Sequence, residues 1–240
     1  MINVEKIFIL HYTKLVERKK RLDSMLSHLG ITAEYFLQHD QEDLTEDLIS
    51  EYYKPNKEDY DRKINDLWGA RAAPYRELNI AQISCTIKHY NCIKKVAEET
   101  SQYGLVLEDD VVFVDNFVEK FNSCLENTPS DWDAIFLGSC AGLRIPPHFL
   151  REGVVAYPVG APSSRGGDSY LLRTGAAKKI TSTMKPFITI SDWELAIQLH
   201  QHDLKTYWWE PPLVVQGSEN GLYNTTLNDD HHRELIGGQT

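Results

Sequence analysis

Three adjacent acids, Glu108, Asp109 and Asp110, interrupt an apolar run at 103–114 (YGLVLEDDVVFV). Short apolar, β-branched runs of this kind read as buried strand. Carboxylates side by side at the end of such a strand repel one another and lose hydration, a cost that must be offset. A divalent cation is the usual partner, because hard cations prefer carboxylate oxygen. The competing reading is a solvated acidic turn. Apolar flanks on both sides, with no Gly or Pro in the triplet, weigh against it.

The elements that must position the triplet can be read in order. Residues 6–11 (KIFILH) form a first strand. Leu15, Leu22, Met25, Leu26 and Leu29 recur at helical spacing, and Gly30 closes that helix. Residues 31–37 (ITAEYFL) give a second strand, so the chain opens β-α-β, the unit of a parallel sheet. Ligands of such sheets sit beyond the carboxyl ends of strands. His11, Tyr12 and Thr13 lie at one such end, and Gln38, His39 and Asp40 at another. Neither a GxGxxG nor a Walker-type loop is present.

Residues 41–79 are charged, aromatic and helical in flavour, interrupted by Pro55 and Pro74; they read as an excursion from the sheet, either a lid or a surface insertion. Residues 80–100 form a helix with one stripe of Ile83, Ile87 and Tyr90 and an adjacent one of Cys85, His89, Cys92 and Val96. His89 reads as a hydrogen-bonded core histidine. After the acidic strand come a helix at 116–126 and a strand at 133–138. Loops at 139–167 surround a short strand (153–157). A strand at 169–172 and a helix that Thr174 can cap follow. Another helix starts at Asp192, and a strand includes Val214 and Val215. Residues 217–240 are polar.

A chain of 240 residues, 42% hydrophobic, suits a single α/β domain. The formal net charge of −10 argues against nucleic-acid partners and anionic membrane surfaces. The four cysteines form no CxxC pair; Cys85 and Cys92, two helical turns or roughly 10 Å apart, cannot bridge. Reduced thiols and a cytoplasmic setting follow. No apolar run reaches the length of a transmembrane segment, and the N-terminus reads as a strand rather than a signal peptide.

The order of these motifs resembles glycosyltransferase family 25, the lipooligosaccharide and collagen galactosyltransferases. The resemblance covers most of the chain outside 41–79. It rests on Leu10, His11 and Tyr12 with Glu17 and Arg18; Asp40; Cys85 and His89 within SCTIKH; and the Leu107-to-Val111 strand end. Further along it rests on Ser169, Tyr170, Gly175 and Ala176, on Asp192, and on Pro212 with Gln216. His11 stands where the family has Asn, and Ser84, Lys88 and Gln41 also depart from its pattern.

The resemblance implies a GT-A-like fold, related to the Rossmann type: a mixed, mostly parallel central sheet flanked by helices. It implies an inverting transfer of a hexose from UDP-galactose, or else UDP-glucose, to a glycan, lipooligosaccharide or protein hydroxyl. Such an enzyme, lacking a phosphate-cradling loop, needs Mn²⁺ or Mg²⁺ for the departing diphosphate. Asp110 is then the direct ligand, Asp109 a direct or water-mediated one, and Glu108 a contact to ribose or metal-bound water. A further ligand is sought among Asp229, Asp230, His231 and His232, with His231 preferred over a merely solvated tail. Donor contacts fall to His11, Tyr12, Thr13, Arg18 and Asp40.

Asp192 is the expected base for the acceptor hydroxyl. Ser191 and Glu194 also spell a capping box, whose helix dipole would lower the Asp192 pKa; Glu194 and Asp168 are alternatives. Trp193, Trp208 and Trp209 read as sugar-stacking faces or as core aromatics. Two rival readings remain: a metal-dependent phosphoryl hydrolase, and a non-catalytic binding protein of the same fold. The enzyme is expected in the cytoplasm, peripheral to the inner membrane face.

Overall fold

The computed structural model describes residues 1–69, 73–218 and 220–223. The chain opens with β1 (Lys6–Leu10), α1 (Val16–His28) and β2 (Glu34–Phe36). Gly30, at φ +63°, ends α1 in the left-handed region that favours glycine. The Ile31 amide returns to the Leu26 carbonyl, so 31–33 seal the end of α1 and the strand expected from 31 starts only at Glu34.

Next come α2 (Glu46–Tyr52), α3 (Lys57–Trp68), α4 (Ile80–Glu99), β3 (Tyr103–Glu108), β4 (Val111–Phe113) and α5 (Phe117–Glu126). β5 (Ala134–Phe136), β6 (Ala156–Val159), β7 (Ser169–Arg173), α6 (Thr174–Thr183), α7 (Ser191–Gln201), β8 (Thr206–Trp209) and β9 (Val214–Gln216) complete it. The Thr174 hydroxyl bonds to Thr100 rather than capping α6.

Seven strands form the central sheet in the order β2-β1-β3-β7-β5-β8-β6. β2, β1, β3, β5 and β8 run one way and β7 and β6 the other. This is the mixed, helix-flanked α/β sheet expected. β4 and β9 leave it as a small antiparallel pair.

Strand alternation divides the core. Phe8, Leu10, Val106, Phe136, Tyr170 and Leu172 pack under α4, α6 and α7. Ile7, Ile9, Leu105, Leu107, Ile135 and Leu171 face α1 and α5 on the other side. The excursion at 41–79 docks through α3: Tyr60, Ile64 and Leu67 pack on Ile188, Ala196 and Ile197 beside α7. Each such buried side chain is worth roughly 1.5–3 kcal/mol, enough to hold α3 against the sheet's helical layer.

Candidate active site

The register of the sheet sets the site. Leu10 lies directly beside Glu108, so His11 and Asp109 leave the parallel strands β1 and β3 together. On the other side Leu107 pairs with Ser169, bringing Gly167 and Asp168 to the same edge. Asp109 and Asp110 form the turn between β3 and β4. The triplet is therefore a turn after all, but a buried one: Asp109 and Asp110 are 8% and 3% exposed.

The three acids have different fates. Asp109 Oδ2 lies 2.6 Å from His11 Nδ1 and accepts the Tyr12 amide at 3.3 Å. Its Oδ1 accepts from Arg18 Nη1 at 3.2 Å. Through these bonds Asp109 ties the loop after β1 and the first turn of α1 to the acidic turn, and it also lines the cleft at the strand ends. Arg18 serves the same tie, stacked on Tyr223.

Asp110 is the opposite case. Its Oδ2 accepts the Ser218 amide at 3.1 Å, while Oδ1 is buried without a hydrogen-bond partner. Burial, then the Glu108 charge, pushes its pKa up to about 6. Glu108, one-fifth exposed, lies 3.2 Å from His89 Nε2 through Oε1 and accepts from Gln216 Nε2 at 3.2 Å through Oε2. Each oxygen of Glu108 keeps accepting capacity.

Asp40, buried, and Thr13, exposed, bond to each other beyond the end of β1. Asp40 Oδ2 accepts from the Thr13 amide at 3.1 Å and from its hydroxyl, and Oδ1 accepts from Lys88 Nζ at 2.7 Å. Lys88, 3% exposed, also donates to the His11 and Gln38 carbonyls. Here α4 pins the ends of β1 and β2, with Asp40 as one of the anchors. Nothing in the local sequence shows this role for Lys88, because its three acceptors lie 48 to 77 residues away.

His11, Tyr12, Arg18, Glu108, Asp109 and Asp110 line one cleft, together with Gln41, Ser84, Cys85, Gln216 and Ser218. On the other side of α4's first turns lies a second cleft, bounded by Tyr60, Trp68, Gln82, Asp192, Trp193 and Trp208.

Asp192 stands at the start of α7, but the capping box does not form. Ile190 is the N-cap without a side-chain bond, and Glu194 turns inward to the Ile188 amide and Gln198. Burial dominates, so the Asp192 pKa rises to about 6 instead of falling; the Trp193 amide opposes this and the Glu108 charge adds to it. Trp193 stacks on Trp68 at 4.9 Å. Trp208 borders the same cleft, whereas Trp209 is fully buried against Phe121. Asp168 is fully buried at the Gly138 backbone, and Glu194 is likewise inside the protein. His231, with Asp229, Asp230 and His232, lies outside the described residues.

A mixed α/β sheet with a carboxylate-edged cleft at its strand ends defines the class, and the comparisons give the family. The model of glycosyltransferase family 25 (LPS biosynthesis protein) matches residues 4–144. The chain belongs to that family. It is 27% identical over 159 residues to procollagen galactosyltransferase 1 of Danio rerio, covering 59% of this chain and 26% of that protein. It is 27% identical over 160 residues to a human protein named inactive glycosyltransferase 25 family member 3, covering 62% of this chain and 26% of that one. The chain thus spans about a fifth to a quarter of the length of the curated relatives it matches. Among solved structures, A197 from STIV overlays with a TM-score of 0.44 at 12% identity, over 88% of this chain and 83% of that one. Among the described residues no helix is long and apolar enough to cross a membrane.

Proposed function

We propose that this family member transfers a hexose, galactose from UDP-galactose before glucose from UDP-glucose, to a glycan, lipooligosaccharide or protein hydroxyl. The transfer inverts the anomeric centre to a β linkage and depends on Mn²⁺ or Mg²⁺. The donor cleft is the one edged by the acidic turn, and the acceptor cleft is the one lined by Trp68, Trp193 and Trp208. The observation that carries this is the buried, unpartnered Oδ1 of Asp110 beside Glu108. An ionised carboxylate oxygen left this way is strongly unfavourable unless a cation completes it.

Asp110 and Glu108 fit a hard divalent ion and would hold it. When bound, such an ion offsets the charge that develops on the departing diphosphate. His11 and Tyr12 form the donor wall, kept in place by Arg18 and Asp109. Asp192, with its pKa at about 6, is mostly ionised at neutral pH yet basic enough to take the acceptor's proton. A base facing an acceptor on the far side of the sugar from the leaving group gives inversion. The galactose preference draws on the name of the Danio rerio relative, and the lipooligosaccharide acceptor on the family description. None of the four cysteines is in a disulfide, which supports a reducing compartment; we place the enzyme in the cytoplasm at the inner membrane face.

Calorimetry with a panel of UDP-sugars, with and without Mn²⁺ or Mg²⁺, tests the reading. Binding is expected only with the cation, and is lost in Asp110→Asn while the fold persists. No binding of any nucleotide sugar by the wild-type protein sinks it. Binding without transfer to any acceptor favours instead a non-catalytic binding protein, the reading that the similarity to the human inactive member supports.

A further inference from the structure

Glu108 belongs to a second constellation that the donor reading does not use. Among the described residues, Cys85 Sγ, His89 Nε2 and a Glu108 carboxylate oxygen lie within 4.8 Å of one another. Cys85 and His89 sit one helical turn apart on α4, so both point from the same face to the end of β3. His89 Nε2 and Glu108 Oε1 are 3.2 Å apart, close to the edge of a tetrahedron around a zinc ion with bonds of about 2.0–2.1 Å.

Two further features point to a ligand. His89 Nδ1 lies 2.9 Å from the buried Tyr170 hydroxyl. A hydroxyl both donates and accepts, so it satisfies the tautomer that leaves Nε2 free for a metal. Metal-bound histidines usually donate the other ring N–H to a carboxylate, carbonyl or water; here the Tyr170 hydroxyl stands in that place. Residue 167 is glycine where a Cβ would stand 2.9 Å from Glu108 Oε1 and 3.1 Å from His89 Nε2. The backbone thereby leaves room beside both ligand atoms. Cys85 and Glu108 also line the first cleft, which gives an ion a path in and an open fourth position.

We propose that Cys85, His89 and Glu108 form a second metal site, selective for a thiophilic divalent cation of the zinc class. Thiolate and imidazole discriminate against the hard Mn²⁺ and Mg²⁺ that suit Asp110. Binding displaces the thiol proton of Cys85 to solvent. The assignment stands on these side chains and does not depend on the donor reading.

Cobalt(II) is the probe, titrated into metal-free full-length protein. One equivalent is expected to give a thiolate-to-cobalt charge-transfer band with the visible bands of four-coordinate cobalt, both removed by zinc. Cys85→Ser abolishes the charge-transfer band, Cys140→Ser keeps it, and Gly167→Ala and His89→Gln weaken cobalt binding at least tenfold. Asp110→Asn retains the band, which separates this site from the hard-cation site. Near-UV circular dichroism checks that each variant keeps the native fold. The proposal is overturned if the wild-type protein shows no thiolate band, if Cys85→Ser retains it, or if a folded Asp110→Asn loses it.

Discussion

Arg18 and Asp109 form a buried ion pair, Nη1 to Oδ1 at 3.2 Å, with each side chain 9% exposed. The pair joins residues 91 apart in sequence and decides how the acidic triplet works. Asp109 is engaged by Arg18, His11 and the Tyr12 amide, whereas Asp110 keeps one buried oxygen without a hydrogen-bond partner. A guanidinium suits this place because it remains charged when buried and can meet the carboxylate with several donors.

Removing Arg18 therefore costs stability before it costs binding. Arg18→Met leaves the Asp109 carboxylate buried with only His11 and the Tyr12 amide, a loss on the order of 3 kcal/mol. Asp109→Asn is expected to lose a similar amount, since it leaves the buried guanidinium without its counter-charge and, with its oxygen kept toward Arg18, sets an NH2 group against the Tyr12 N–H. Urea denaturation checks this. A drop below about 1 kcal/mol for Arg18→Met would show the pair to be no better than a surface one.

Asp110 makes the metal-free protein sensitive to pH in the opposite sense from a paired carboxylate. Its folded pKa, about 6, lies above the ordinary value of 3.8, so the folded state binds the proton more tightly. The stability this contributes is complete below about pH 4 and is lost as pH rises through about 6, on the order of 3 kcal/mol. Asp110→Asn is expected to flatten that decline and to unfold at higher urea than the wild type at neutral pH. Mn²⁺ is expected to stabilise the wild type and not the variant. Equal pH profiles for the two proteins would remove Asp110 as the origin.

The frame of the fold is legible because it is local. Uninterrupted apolar runs mark β1 and β3, and period-3.6 stripes mark α1 and α4. The reversed direction of β7 is not legible, since it depends on pairing with β3 and β5. The acidic triplet announces a site, but its division of labour does not show, because Arg18, Ser218 and Gln216 reach it from distant segments. The Ser191–Glu194 spacing misleads for a related reason: Glu194 finds the Ile188 amide and Gln198 inside the protein, and tertiary contacts override the local cap. His89 reads correctly as buried. Its four-residue spacing from Cys85 is the one sequence signal for the cluster with Glu108, and the third member is invisible until β3 is placed.

Gly138 and Asp168 meet so closely that a methyl group on residue 138 would overlap the Asp168 carboxylate. Gly138→Ala must push aside a fully buried carboxyl side chain just before β7. A loss of about 1–3 kcal/mol is expected from overpacking. Adding Asp168→Ala is expected to cost less in the Gly138→Ala background than alone, since the two changes share one space. Additive losses in a double-mutant cycle measured by urea unfolding would contradict the contact.

Asp192 sets the acid limb of activity if it is the base. It must be ionised to accept the acceptor's proton, and burial holds its pKa at about 6. Transfer should therefore rise with pH through about 6 and level off above it. Asp192→Asn should lower kcat by on the order of 10²–10⁴ while UDP-sugar affinity with Mn²⁺ stays within about twofold, because Asp192 faces the second cleft and not the donor cleft. Titration of Asp110 in the same range is separated by the readout: on the proposed function it would alter donor binding, whereas Asp192 would alter turnover of the bound donor at saturation. A pH–kcat profile whose acid limb survives Asp192→Asn would pass the role of base to another group and leave the donor site as drawn.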